Sequence, residues 1–451
     1  MTQAYPTLME AARVWARIGL LSFGGPAGQI ALMHRILVEE RRWLGEKRFL
    51  HALNYCMLLP GPEAMQLAIY VGWLMHRVPG GIIAGLFFLA PGAVAILALS
   101  VFYALYGQIG PVEALFFGLK AAVLAIVLQA VVRIGSRVLG SHALFAIAVG
   151  AFLAIFVVGL PFPLIILVAG LIGLAAIRYS WSGFSETHAG GTAKVQVRDA
   201  ETMLGTELPS HARPDPRRSL RIALVFLALW LAPVLGLTMF LGPAHVFAQI
   251  AAFFSLLAVV TFGGAYAVLA WVAQEAVQGF GWLAPGEMLD GLGLAETTPG
   301  PLILVTQFVG YLAAFRDPGG MTPLMAGILG AGLTTWVTFV PCFLWIFLGA
   351  PYIEQLRGNA ALSAAMTAIT AAVVGVILNL AVWFALHVVF KAHVPVAGLA
   401  FDIPVWSSFD FAAAGLIVLA CVAAFRFRVG PVALLIGSAL AGIGLNLVGL
   451  A

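Results

Sequence analysis

A lysine buried in apolar sequence, two carboxylates and four glycine-rich interruptions are the residues here whose type and spacing could do chemistry. Lys120 stands in the run Gly118 to Val131, GLKAAVLAIVLQAV, within an apolar stretch from 112 to 138. It follows the start of that stretch by roughly eight residues, so at about 1.5 Å per residue it lies about 12 Å along a helix. In a hydrocarbon core about 30 Å thick that is near the middle, too deep for an ammonium group to reach the surface easily. Such a lysine binds an anion or pairs with a carboxylate, and Glu63 is the carboxylate this reading considers for it.

The four interruptions are Phe23-Gly24-Gly25-Pro26, Pro60-Gly61-Pro62, Phe262-Gly263-Gly264 and Thr298-Pro299-Gly300-Pro301. Pro26, Pro62 and Pro301 each open the apolar run that follows, a place where the missing N–H of proline costs nothing. The second FGG is followed by Ala265 instead. Helix N-termini present free N–H groups and about half a positive charge each, so four converging ends would supply about +2. That field suits a divalent oxyanion, with Gln66 as a neutral donor beside it. The competing reading is that Gly and Pro only let helices pack closely. Glu63, directly after Pro62, and Glu296, two residues before Thr298, are candidates for ion coupling or simple helix caps.

The 451 residues that carry these groups are 62% hydrophobic and 9% charged, with a mean hydropathy of +1.04. A soluble protein has roughly 25% charged residues, so this is an integral membrane protein. The net charge of +4 is too small to argue for nucleic acid. Cys56, Cys342 and Cys421 are odd in number, widely spaced and set in apolar sequence, which offers neither a disulfide framework nor a metal pattern. No cofactor or metal is expected. Arg13 and Arg17 interrupt the first apolar stretch, so no cleaved signal peptide is expected either.

The chain reads as a duplication. Phe23 and Phe262, Pro60 and Pro299, Pro79 and Pro318, Trp43 and Trp282, and Arg77 and Arg316 are each 239 residues apart. Further on, VLQA at Val127 to Ala130 aligns with ILNL at Ile377 to Leu380, which sets Thr370 opposite Lys120 and Asn379 opposite Gln129. The expected organisation is a first transporter repeat over 1–178, a basic cytoplasmic linker over 179–219, an unpaired transmembrane helix over 220–241 and a second repeat over 242–451. Lys194, Arg198, Arg213, Arg217 and Arg218 place the linker inside by the positive-inside rule.

Counting back from the linker, the spans near 163–178, 141–159, 112–138 and 81–107 put residue 78 on the cytoplasmic side. The basic cluster Arg35, Arg41, Arg42, Lys47 and Arg48 should be cytoplasmic too, yet only the segment 52–76 intervenes. A re-entrant hairpin turning at the PGP satisfies both, and a second turns at the FGG. Eighteen of the 23 Lys and Arg precede residue 242, and the helix 220–241 would flip the second half, where Arg357, Arg426 and Arg428 fall in cytoplasmic turns while Arg316 and Lys391 fall outside. The fold class expected is therefore an all-α polytopic membrane protein, two homologous halves in inverted orientation with re-entrant broken helices.

In SFGGPAGQI (Ser22 to Ile30), LLPGPEAMQLAIYVG (Leu58 to Gly72), the run from Pro79 to Gly92, GLKAAVLAIVLQAV and AETTPGPLILVTQFVGY (Ala295 to Tyr311), the chain resembles the chromate ion transporter family of bacterial membranes, in its long two-domain form. The resemblance implies a multi-pass inner-membrane carrier that exports chromate from the cytoplasm and confers chromate resistance, with sulfate a near-isosteric relative. It also implies that the FGG and PGP segments and the Lys120 helix matter for transport. Its partners would be the oxyanion and the lipid bilayer, and a homodimer is one assembly open to it. The alternative is a transporter or channel for sulfate or another inorganic oxyanion. A membrane enzyme would need a catalytic constellation, and the chain has no HExxH, GxSxG or GxxxxGK.

Overall fold

The computed structural model describes residues 5–179, 181, 197–205, 209–212, 214–262, 264–352, 360–394, 396 and 401–449. Gly263, Lys194, Arg213 and Arg357, used in the reading above, lie outside the described residues. Among those described there are 16 α-helices. In the first half they are α1 (Leu8–Leu21), α2 (Gly25–His34), α3 (Glu46–Cys56), α4 (Glu63–Tyr106), α5 (Gly110–Val138), α6 (His142–Phe156) and α7 (Phe162–Arg178). After α8 (Pro216–Leu241) come α9 (Val246–Val260), α10 (Ala265–Gln274), α11 (Pro285–Thr297), α12 (Val305–Arg316), α13 (Pro323–Gly349), α14 (Ala360–Val389), α15 (Phe411–Phe425) and α16 (Pro431–Leu447). Five helical runs, those of α4, α5, α8, α13 and α14, are long and apolar enough to cross a membrane.

Helices break where the sequence predicts. α1 gives way to α2 at the first FGG, α3 to α4 at the first PGP, α9 to α10 at the second FGG and α11 to α12 at the second PGP. α4 is itself interrupted at His76 and Arg77, the latter at φ 57°, which is left-handed backbone rare for a side chain with a Cβ. Across that break Gly72 and Gly80 touch, each filling the space where a Cβ on the other would sit.

The repeat is visible in local detail. α2 and α10 both end in a π-helical turn, Arg35–Glu40 and Glu275–Gly279. α6 and α15 have 15 residues each, α7 and α16 have 17, and equivalent ends are 269 residues apart. Even the caps correspond: Ser141 accepts from the Leu144 N–H, and Asp410 from the Ala413 N–H. Pro91 lies inside α4 and Pro341 inside α13, 250 residues apart, the same separation as VLQA and ILNL.

By contact the described residues form two compact units, each drawing on both halves. The first comprises Met1–Ala98, Ala189–Gly264 and Thr298–Arg357. In it α13 packs against α8, α9 and α12. Part of the segment read as a basic cytoplasmic linker is docked here: Glu46 donates to Val197, Met203 to Arg42 and Leu204 to Trp43, all main chain to main chain at 3.0–3.1 Å. His211 adds a ring contact to the Trp73 carbonyl at 2.9 Å. Burial holds the His211 imidazole below its usual range, against the opposing pull of that carbonyl.

The second unit comprises Leu99–His188, Ala265–Thr297 and Gly358–Ala451. Its packing is an exchange: α5 lies against α15 and α16 of the other half, α14 lies against α6 and α7, and α5 meets α14. Small residues make these crossings possible. A Cβ on Gly442 would strike the Ala114 carbonyl, and one on Gly173 the Ala364 carbonyl. Glycines and carbonyls are again equivalents, 269 and 250 residues apart. Gly442→Leu and Gly173→Leu should each lower the melting temperature of the detergent-solubilised protein through overpacking of about 1–3 kcal/mol. Gly444→Leu, where a Cβ meets nothing within 4 Å, should leave it unchanged, and fluorescence-detected melting checks all three.

Candidate functional site

All four interruptions fall in the first unit. Gly24 and Gly25 hold φ of 84° and 69°, Gly61 119°, Gly264 102° and Gly300 94°, conformations open to glycine and strained for other residues. At the two FGG tips the preceding helix closes on itself identically: Ser22 Oγ donates to the Ile18 carbonyl and Thr261 Oγ1 to the Leu257 carbonyl, both at 2.6 Å.

The tips are then joined crosswise. The Gly61 N–H donates to the Thr261 carbonyl at 2.8 Å, and the Gly300 N–H to the Ser22 carbonyl at 2.9 Å. Donor and acceptor positions are both 239 residues apart, so each half's PGP rests on the other half's FGG by the same bond. Two further contacts repeat the exchange: a Cβ on Gly61 would press on Cys342 of α13, and Gly300 lies against Gly92 of α4.

The buried Gln29 of α2 locks one of these junctions, donating to the Gly300 carbonyl at 2.6 Å and the Ser22 carbonyl at 3.3 Å. It was not among the residues the sequence reading selected. Its only mark in sequence is an amide one turn after Gly25 in an apolar run. Gln66, read as a donor to substrate, commits its amide nitrogen to the Pro60 carbonyl at 2.7 Å and so braces the turn.

The backbone at the FGG tips stays open. A Cβ on Gly24, Gly25 or Gly264 would meet no heavy atom within 4 Å. α2 starts at Gly25 with no side-chain cap and carries Pro26 in its first turn, and Pro301 likewise precedes an uncapped short turn, Leu302–Leu304. First-turn N–H groups without caps are available to an anion. Phe23 is exposed, Pro60, Pro62 and Glu63 are half-buried at the start of α4, and Thr298, Pro299 and Gly300 are buried or nearly so.

Lys120 and Glu296 belong to the second unit. The expected pairing of Lys120 with Glu63 is not what the structure shows: its partner is Asp290 of α11, 3.6 Å away. Asp290 also accepts from the Tyr103 hydroxyl at 2.9 Å. It falls in a stretch that reads as an acidic loop, with Glu275 and Glu287 nearby, whereas the chain is helical from Pro285 and Asp290 is buried. Glu296 accepts from the Tyr266 hydroxyl, so a phenol, not a helix terminus, satisfies it.

The model of the family described as "Chromate transporter" matches residues 9–174 and again 248–443. The chain belongs to the chromate transporter family. The two matched segments begin 239 residues apart and end 269 apart, the separations that organise the fold. Among relatives, a chromate transport protein of Pseudomonas aeruginosa is 32% identical over 384 residues, 83% of this chain and 81% of its own length. A chromate transport protein of Cupriavidus metallidurans is 28% identical over 373 residues, 82% and 81% of the two chains. A probable chromate transport protein of Synechococcus elongatus is 27% identical over 379 residues, 82% and 83% of the two. No solved structure matches the chain.

In this transporter the crossed tips make a specific demand on Gly61. Gly61→Ala should cut transport in membrane vesicles at least tenfold while the protein still elutes as a folded species, because a Cβ there is both strained at φ 119° and pressed on Cys342 and Gln66. Wild-type flux would mean that the tip only packs.

Proposed function

We propose that the chain is a secondary transporter that carries chromate out of the cytoplasm across the inner membrane and so confers chromate resistance, with sulfate competing for the same site. The observation that carries this reading is that all four helix breaks fall in one unit and are bonded in two crossed pairs, with no side-chain cap at the N-termini that follow the first FGG and the second PGP. Irregular backbone at membrane depth persists where it is buried in protein or lines a cavity. Tip N–H groups recognise charge and tetrahedral oxygens, which chromate and sulfate share. The relatives named for chromate transport supply the choice of chromate.

Phe23, Gly24, Gly25, Pro26, Pro60, Gly61, Pro62, Gly264, Thr298, Pro299, Gly300 and Pro301 form the anion site in this reading. Gln66 and Gln29 hold its turns. Lys120, in the second unit, is a separate charged determinant of transport in this reading. Export follows from charge, since a membrane potential of about 100 mV, inside negative, favours the exit of a dianion by roughly 4–5 kcal/mol.

The organisation we propose is two repeats, 1–178 and 242–451, in inverted orientation around the linker 179–219 and the helix 220–241, with the broken helices re-entrant. The constant offsets and the reciprocal tip bonds support the duplication, and the crowding of Lys and Arg before residue 242 supports the inversion. Topology is tested by cysteine labelling at Lys47 and Ala284, both exposed. Gly45 would be the natural tag position by sequence, but it is packed against Asp199. Lys47→Cys and Ala284→Cys should react from opposite faces of the membrane, and labelling from one face would overturn the inversion.

The transport reading is tested with everted vesicles, whose cytoplasmic face is outward. Saturable accumulation of radiolabelled chromate, inhibited by sulfate and enhanced by an inside-positive potential, is the expected result. Vesicles that hold folded protein and accumulate neither anion would refute it.

A further inference from the structure

Asp290 raises a question that the tips do not answer. Its side chain is 4% exposed. Oδ2 is matched twice, by the Lys120 ammonium and the Tyr103 hydroxyl. Oδ1 is buried and has no hydrogen-bond partner among the described residues. A carboxylate left with one oxygen unmatched inside protein holds its charge only through its counter-ion, here Lys120.

The surroundings add little other charge. α11 packs on α5, α14 and α16. α5 contributes Lys120, with Glu113 two turns earlier and Arg133 and Arg137 more than three turns later, α14 has His387 as a titratable residue in its last turn, and α16 has none. On α11 itself Glu287 lies one turn earlier and caps its own helix by accepting from the Ala284 N–H at 2.8 Å. The repeat does not duplicate the arrangement: Thr370 stands in the place of Lys120 and donates to the Met366 carbonyl, and His51 stands in the place of Asp290.

We propose that Asp290 is a proton-binding site coupled to anion transport through Lys120. A dianion that engages the ammonium takes away the counter-charge of Asp290, and a proton from water adds to Oδ1 in compensation. Lys120 keeps its proton and Tyr103 keeps donating to Oδ2. The neutral Lys120–Asp290 pair, one dianion and one proton thus become a loaded site of one net negative charge, where the anion alone would carry two. By linkage, anion affinity then rises as the proton becomes available, and each anion moves with one proton in the same direction, so the membrane potential still drives export but acts on one net negative charge instead of two.

This rests on the reading of the chain as a chromate transporter, and the test separates the two. Full-length protein is reconstituted in liposomes with a trapped pH dye, and a chromate gradient is imposed. The wild type should move one proton with each chromate, and Asp290→Asn should lower the proton-to-chromate ratio at least tenfold. Chromate flux without proton movement in the wild type, or an unchanged ratio in Asp290→Asn, overturns the proposal alone. Failure of the wild type to move chromate refutes the transport reading instead. A second measurement needs no variant: in infrared difference spectra, chromate should raise a protonated-carboxyl band that shifts on 13C-aspartate labelling. Its absence from protein that binds chromate contradicts the proposal.

Discussion

A main-chain N–H or C=O buried in apolar surroundings must find a partner, and the four helix breaks meet that requirement by pairing across the repeat. Gly61 with Thr261 and Gly300 with Ser22 are one bond made twice, and much of the first unit is arranged around it. Ser22 and Thr261 close the preceding helices, Gln29 and Gln66 occupy carbonyls the turns leave free, and Gly92 and Cys342 back the PGP loops. What no side chain caps is the N-terminus of α2 at the first FGG tip. In the function we propose, the anion-binding surface is a consequence of the chain satisfying its own backbone.

The second unit solves a different problem by the same exchange. α5 and α14 each lie against the last two helices of the other half, with Gly442 and Gly173 letting backbones touch where a side chain would hold them apart. Symmetric packing here surrounds an asymmetric charge pair, since Lys120 and Asp290 have Thr370 and His51 as their counterparts. Charge that a duplicated scaffold does not need for its packing is charge available for work.

Much of this was legible in the residues. Glycine and proline in the middle of apolar runs leave little choice but a break, and all four breaks occur where they predict. A fixed offset survives any amount of apolar substitution, so the repeat could be read from Phe23 and Phe262 before any contact was known. The residues that escaped are those whose meaning is a distant partner. Gln29 is a single amide in an apolar helix until Gly300 lies beside it, and Asp290 sits among acidic neighbours that suggest a solvated loop until α5 covers it. The linker misled by composition in the same way: its polar residues suggest solvent, while its main chain bonds to Arg42 and Trp43.

The central claim is that the N–H groups of the tip glycines receive the anion. It is tested most directly by titrating chromate into 15N-glycine-labelled protein in lipid nanodiscs and following the amide resonances. The account predicts saturable shifts at Gly24, Gly25 and Gly264, with glycines of the packed crossings such as Gly173 and Gly442 unmoved. Saturable binding that leaves the tip amides unshifted would contradict it.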